Sequence, residues 1–140
     1  MRVLVPVDGS DSSLAALRFV IDKLVPAGAG LELHLLNVQP ALPSSASRFI
    51  DSKVVRDYHQ DEGVKDLAAA RKLLDAAGVA YTSDIAIGDP ADSIVTYAEQ
   101  RGCDGIVMGT RGLGRVGGLL LGSVATKVLQ LTKLPVTLAK

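Results

Sequence analysis

Fifteen residues, Gly109 to Ser123, read GTRGLGRVGGLLLGS: six are glycine, two are arginine and none is acidic. Glycine exposes backbone N–H groups, and these groups beside arginines with no carboxylate suit a phosphate-binding surface. Three known patterns can be laid over the stretch. A P-loop needs G-x-x-x-x-G-K-[ST]. GTRGLGR has the first spacing, but Arg115 stands in the lysine position and Val116 in the hydroxyl position, which excludes it. A dinucleotide fingerprint, G-x-G-x-x-G, fits Gly112, Gly114 and Gly117. That motif opens the first β-α unit of its fold and needs an acid about 20 residues on to hold a ribose. Here it falls in the last β-α unit, and no Asp or Glu follows Asp104, so this reading is set aside. The third spacing is Gly109-x-x-Gly112, nine residues, then Gly122-Ser123. Gly109 and Gly112 would let a polyanion approach the backbone, and Gly122-Ser123 would add a helix N-terminus and a hydroxyl. A loop whose glycines serve only its turns is the alternative, and residue types alone leave both open.

Other residues with chemistry in them read more plainly. Asp8, at the end of the first apolar run, could be a base or metal ligand. A polar contact to a ligand's base or sugar fits better, since no second carboxylate is placed to share a metal. His34 lies between Leu33 and Leu35 and reads as a sheet-face residue. His59 is expected to be solvated, and Ser12 and Ser13 to be ordinary first-turn residues. Arg111 and Arg115 are either phosphate clamps or solvated loop residues. Cys103, the single cysteine, excludes an internal disulfide and reads as a small buried residue before a strand. With no activated nucleophile or general base in view, an efficient enzyme is not expected.

The elements that must position Asp8 and the glycine stretch follow from periodicity. RVLVPVD (2–8) is a nearly continuous apolar run and reads as a buried strand. Ser10 or Asp11 caps a helix carrying Leu14, Leu17, Val20, Ile21 and Leu24 at helical spacing, and Pro26 is expected to stop it. LELHLLNV (31–38) is a second strand, and 39–48, rich in Pro and Ser, a loop. From 49 to 77 the pattern is helical. Phe49, Ile50, Val54, Tyr58, Leu67, Leu73 and Leu74 are expected on one buried face, with Gly63 as a kink or interruption and Gly78 at the end. A third strand, 79–87, is less apolar and suits a sheet edge. Asp89 caps the next helix, with Pro90 at its first position, Ile94, Val95 and Ala98 as its buried stripe and Gly102 closing it. GIVMG (105–109) is the fourth strand. The glycine stretch, a helix through SVATKVLQLTK and a last strand PVTLA (135–139) complete the chain. This alternation predicts a single-domain α/β fold, an open, twisted, five-stranded parallel sheet with helices on both faces. Such sheets bind ligands outside the carboxyl ends of their strands, where strand order reverses. Asp8, Val38 and Gly109 lie at those ends.

Composition is consistent with this. In 140 residues, 48% are hydrophobic and only 4% aromatic, with no Trp, so the core is aliphatic, as a parallel sheet under two helical layers requires. Fifteen basic and fifteen acidic residues cancel, which argues against general nucleic-acid or membrane affinity. All the acids lie within residues 1–104, so the glycine stretch falls in a purely basic segment. No apolar run approaches transmembrane length and no leader precedes the first strand, so a soluble, reducing compartment, the cytoplasm, is expected.

VLVPVDGS at the start, LHLLNV on the second strand, GDPADSIVTYAEQRGCDGIVMGTRG and LLLGSVATKVL near the end together resemble the universal stress protein family, over nearly the whole chain. G-2x-G-9x-G-[ST] is the mark of that family's ATP-binding branch. The resemblance implies strand order 3-2-1-4-5 and one nucleotide-binding domain over 1–140. It places Pro6, Val7 and Asp8 at the adenine and ribose end, Val38 against the base, and Met108 and Gly109 beside the ribose. Gly109, Thr110, Arg111, Gly112, Leu113, Gly114 and Arg115 would wrap the phosphates, and Gly122, Ser123 and Val124 would hold them from the helix side. The implied ligand is ATP, with Mg²⁺ held mainly by the phosphates. The implied role is a nucleotide-dependent stress-response regulator or switch with at most slow hydrolysis. The competing class is a nucleotide-free dimeric interaction module. A receiver domain shares the topology but needs an acidic cluster after strand 1, where Asp8 is nearly alone. The sequence departs from the family's usual form at Gly117-Gly118 and at Thr137. PVTLA would be an exposed apolar edge in a monomer, so a homodimer through strand 135–139 is expected, with Pro135 confining pairing to the residues after it.

Overall fold

The computed structural model describes residues 1–27, 30–111 and 121–140. Five parallel strands, β1 (Arg2–Pro6), β2 (Glu32–Gln39), β3 (Thr82–Ile87), β4 (Gly105–Gly109) and β5 (Val136–Ala139), form one sheet in the order β3-β2-β1-β4-β5. The expected α/β architecture and strand order are those observed, with β3 at an edge. Successive side chains of a strand alternate between faces, and the aliphatic runs fill both. Val3, Val5, Leu33, Leu35 and Val107 face one core. Leu4, Leu36, Ile106 and Met108 face the other.

Helix α1 (Asp11–Phe19) is capped by Ser10, whose hydroxyl accepts from the Ser13 N–H. It does not stop at Pro26. A π-helical turn (Val20–Leu24) closed by the Val25 N–H on the Val20 carbonyl resets the register, and α2 (Val25–Ala27) follows. Pro26 lies within this continuous helical run, just after the π-helical turn. The 39–48 loop holds a short helix, α3 (Ser44–Ser47).

The long helix α4 (Ser52–Ala77) corrects three expectations. Gly63 does not interrupt it. A Cβ there would overlap the Ile85 side chain, so this glycine lets α4 lie close on β3. Leu67 and Leu74 are buried as expected, but Phe49, Ile50, Val54 and Tyr58 are exposed, Phe49 at 86%. They precede the part of α4 that meets the sheet. His59 is not solvated: it is 2% exposed, and its Nδ1 has no hydrogen-bond partner. It shares the inward stripe of Gly63, Leu67, Ala70 and Leu74 at helical spacing.

Helix α5 (Pro90–Gln100) starts as expected, with the Asp89 carboxylate accepting from the Asp92 N–H at 3.0 Å and Pro90 in the first turn. Helix α6 (Ser123–Leu131) leads into β5. Helices α1 and α4 cover one face, and α5 and α6 the other. No helix among the described residues is long and apolar enough to cross a membrane.

Candidate functional site

The direction of strand order reverses between β1 and β4, because the chain passes from β3 back across to β4. Helix α1 leaves β1 on one face and α6 leads away from β4 on the other, so a crevice opens at their carboxyl ends. A cavity of about 210 Å³ lies there. Its floor is the strand ends: Pro6 on β1 with Val7 and Asp8 after it, Val38 on β2, and Met108 and Gly109 on β4. Its rim is Arg111 on one side and the start of α6, Gly122, Ser123 and Val124, on the other. These are ten of the fifteen positions expected to be at a ligand. Thr110 stands off the cavity: it is buried, and its carbonyl accepts the Gly122 N–H at 2.6 Å. Gly112, Leu113, Gly114 and Arg115 lie outside the described residues.

Local chemistry shapes each wall. Asp8 ends the first strand because its carboxylate accepts from the Ser10 N–H at 2.9 Å, which turns the chain toward α1. It is the only carboxylate bordering the cavity among the described residues. Gly109 has a use that spacing did not show. A Cβ there would overlap Ser12, so its absence lets the first turn of α1 pack on the end of β4. Ser12 then accepts from the Arg111 N–H at 3.1 Å. Gly122 begins α6 with φ −69° and ψ 162°, and no side chain caps the helix. An uncapped helix start leaves backbone N–H groups for an anion.

The basic segment is less free than its composition suggests. Lys127 of α6 reaches Asp89 at 3.0 Å and Asp92 at 3.4 Å, clamping α6 to the start of α5. The Asp92 N–H, then Lys127, holds the Asp89 carboxyl below the usual range, and Asp89 raises Lys127. Arg111, by contrast, is exposed at the rim.

Ser13, Leu36, Pro90, Ile94 and Ala125 also border the cavity. Sequence reasoning read Ser13 and Pro90 as helix-start residues and Ile94 as core. Those local roles are correct, and no local pattern distinguishes a residue that faces core from one that faces a cavity. No group of three or more His, Cys, Asp or Glu able to hold a metal occurs among the described residues. Burial pushes the Cys103 thiol up, away from a reactive thiolate.

The universal stress protein family model matches residues 1–140. The chain belongs to the universal stress protein family. Universal stress protein YxiE of Bacillus subtilis is 33% identical, over 99% of this chain and 98% of its own length. The structure of the universal stress protein MJ0577 of Methanocaldococcus jannaschii matches with a TM-score of 0.81 at 27% identity, covering 99% of this chain and 94% of that one. A universal stress protein solved in complex with cAMP matches with a TM-score of 0.71 at 28% identity, covering 100% of this chain and 97% of that one.

Proposed function

We propose that this chain is an ATP-binding stress-response protein, a nucleotide-dependent regulator or switch with at most slow hydrolysis. One observation carries the reading. The cavity at the strand-order reversal joins an aliphatic floor to an uncapped helix start, and Gly109, Gly122 and Ser123 of the glycine motif all border it. The floor suits a purine: Val38 turns an aliphatic side chain to it, and Val7 borders it while its own side chain packs in the core under α1 and α4. The α6 N-terminus, the Ser123 hydroxyl and Arg111 suit phosphates. The relative at 28% identity that holds cAMP, an adenine nucleotide, supports the same class of ligand.

Mg²⁺ fits this site only as a passenger of the phosphates. Asp8 is a lone carboxylate with one oxygen committed to the Ser10 N–H, and Mg²⁺ retains waters and substrate oxygens readily. Bound there, the ion would neutralise phosphate charge. The chain's own share is to seat the base against Val38 at the strand ends and to meet the phosphates with backbone N–H groups. Among the described residues neither Asp8 nor any other group bordering the cavity is placed as an activated base, which is why hydrolysis is expected to be slow.

Protein made without added ligand should release adenine nucleotide on denaturation, and by calorimetry ATP should bind at least about tenfold tighter than GTP. Absence of both sinks the reading and leaves the second one, a dimeric interaction module whose glycines are architecture. The β5 edge favours a homodimer under either reading: among the described residues only β4 pairs with it, and Thr137 and Leu138 are exposed. Antiparallel pairing with a two-fold mate would cover it. Light scattering should give a dimer at tens of micromolar, and removal of 135–140 a monomer or aggregate.

A further inference from the structure

The face of the sheet turned away from α5 and α6 carries a polar cluster that the nucleotide reading does not use. Along β2 the inward residues toward α4 are Leu33 and Leu35, then Asn37 and Gln39, both buried. Two more aliphatic residues would have extended the core. The last lateral pair of β1 with β2 is Pro6 with Leu36, so the Val7 carbonyl lies past the end of the ladder. Asn37 Nδ2 donates to that carbonyl at 2.8 Å and to Asp66 Oδ2 at 3.1 Å. Gln39 Nε2 donates to Asn37 Oδ1 at 2.7 Å and to the same Asp66 oxygen at 2.9 Å. The other Asp66 oxygen lies over Gly9. A Cβ on Gly9 would come within 3.3 Å of it, and Gly9 has φ +84°, a conformation that side chains disfavour.

A buried amide pair is costly unless each member is bonded. Asp66 completes the set, and the group the set fixes is the Val7 carbonyl. Val7 and Asp8 wall the cavity, while Asn37 and Asp66 grip the same stretch from behind. We propose that Asp66 is a positioning residue for the cavity: acting through Asn37 from the opposite face of the sheet, it sets the place of Val7, Asp8 and Gly9. The long helix α4 is thereby tied to the base end of the site. The ligand named rests on the nucleotide reading above, whereas the positioning does not.

The test uses the full chain with two substitutions, Asp66→Leu and Asp66→Asn, and two measurements. The first is amide hydrogen exchange at Val7, bonded to the Leu36 carbonyl at 2.8 Å, and at Ser10, bonded to Asp8 at 2.9 Å. The second is ATP affinity by calorimetry. Asp66→Leu should speed exchange at Val7 and Ser10 by about tenfold, leave Ile106–Met108 on the other side of the cavity unchanged, and weaken ATP about tenfold. Asp66→Asn keeps an acceptor oxygen and should stay within about twofold of the parent in both. Should Asp66→Leu fail to fold, Asn37→Ala removes the bridge, keeps the carboxylate and is read in the same way. Parent-like exchange at Val7 and Ser10, or equal acceleration throughout the sheet, overturns the proposal. A parent protein that binds no ATP overturns the nucleotide reading instead, and the exchange comparison still decides the positioning.

Discussion

The two ends of one sheet face, the face under α5 and α6, are built oppositely. At the amino end the register sets Arg2 beside Glu32 and His34 beside Thr82. The side chains there satisfy one another. Arg2 Nε meets Glu32 at 3.0 Å, and the other Glu32 oxygen lies 3.0 Å from His34 Nε2. A carboxylate only accepts, so Nε2 carries a proton, and in the neutral ring Nδ1 accepts from Thr82 at 2.9 Å. Tyr97 gives its hydroxyl proton to Asp84 at 2.5 Å, and Arg101 lies over the Tyr97 ring while pairing with Asp84. At the carboxyl end the floor is aliphatic, Lys127 is spent on clamping two helices, and what remains is a lone Asp8, an exposed Arg111 and the backbone of an uncapped helix. Polar groups that already satisfy one another stabilise a fold, and polar groups with bonding capacity to spare, such as the second Asp8 oxygen, are available to a ligand.

The largest effect is expected at Gly122. Its φ of −69° is open to any residue, so Gly122→Val should fold normally while its branched side chain fills the rim. ATP binding should fall by at least about a hundredfold, near 2.7 kcal/mol. ATP bound as tightly as by the parent would place the phosphates elsewhere. The matching change at the amino end is Tyr97→Phe, which removes the bond to Asp84. It should cost about 1.5 kcal/mol of stability in denaturant unfolding and leave ATP affinity unchanged. Burial and then Asp84 raise the Tyr97 hydroxyl above its ordinary 10.0. That contribution is intact below pH 10 and lost as pH rises through the raised value, so Tyr97→Phe should unfold less steeply with alkali. An altered ATP affinity would mean the two ends are coupled.

Smaller effects sharpen the contrast. Ser123→Ala removes one hydroxyl and leaves the backbone donors, so ATP should weaken by about 1 kcal/mol. The loss should shrink for AMP and adenosine, which lack the outer phosphates; an equal loss for adenosine would put Ser123 at the sugar. Smallest is Glu32→Gln. The Arg2 guanidinium first, then His34, holds the Glu32 carboxyl below its ordinary 4.5. A depressed acid stabilises the fold above 4.5 and loses that contribution as pH falls through the lowered value. Glu32→Gln should therefore flatten the acid limb of the stability curve slightly. An unchanged limb would show that the pair contributes nothing in solution.

Much of this was legible in the chain because it is local. Apolar runs of strand length alternating with 3.6-residue periodicity leave few architectures, and a capping Asp89 before Pro90 reads the same in sequence and in structure. The ends of β1, β2 and β4 followed from where those runs stop, and with them most of the cavity floor. Tertiary structure decided what depends on which element lies opposite. Helix α4 has 26 residues, roughly 39 Å at 1.5 Å each, and β2 has eight, about 26 Å. Phe49, Ile50, Val54 and Tyr58 therefore run past the sheet and stay exposed, while His59 falls on the inward stripe and is buried. Gly63 reads as a breaker in sequence and Gly109 as a ligand-approach glycine, and both are points of close packing, against Ile85 and Ser12. Pro90 and Ile94 join the cavity, and Asn37 reaches Asp66, because helices distant in sequence are laid across the same strand ends. Periodicity fixes which side of an element is apolar, and only packing fixes what meets it.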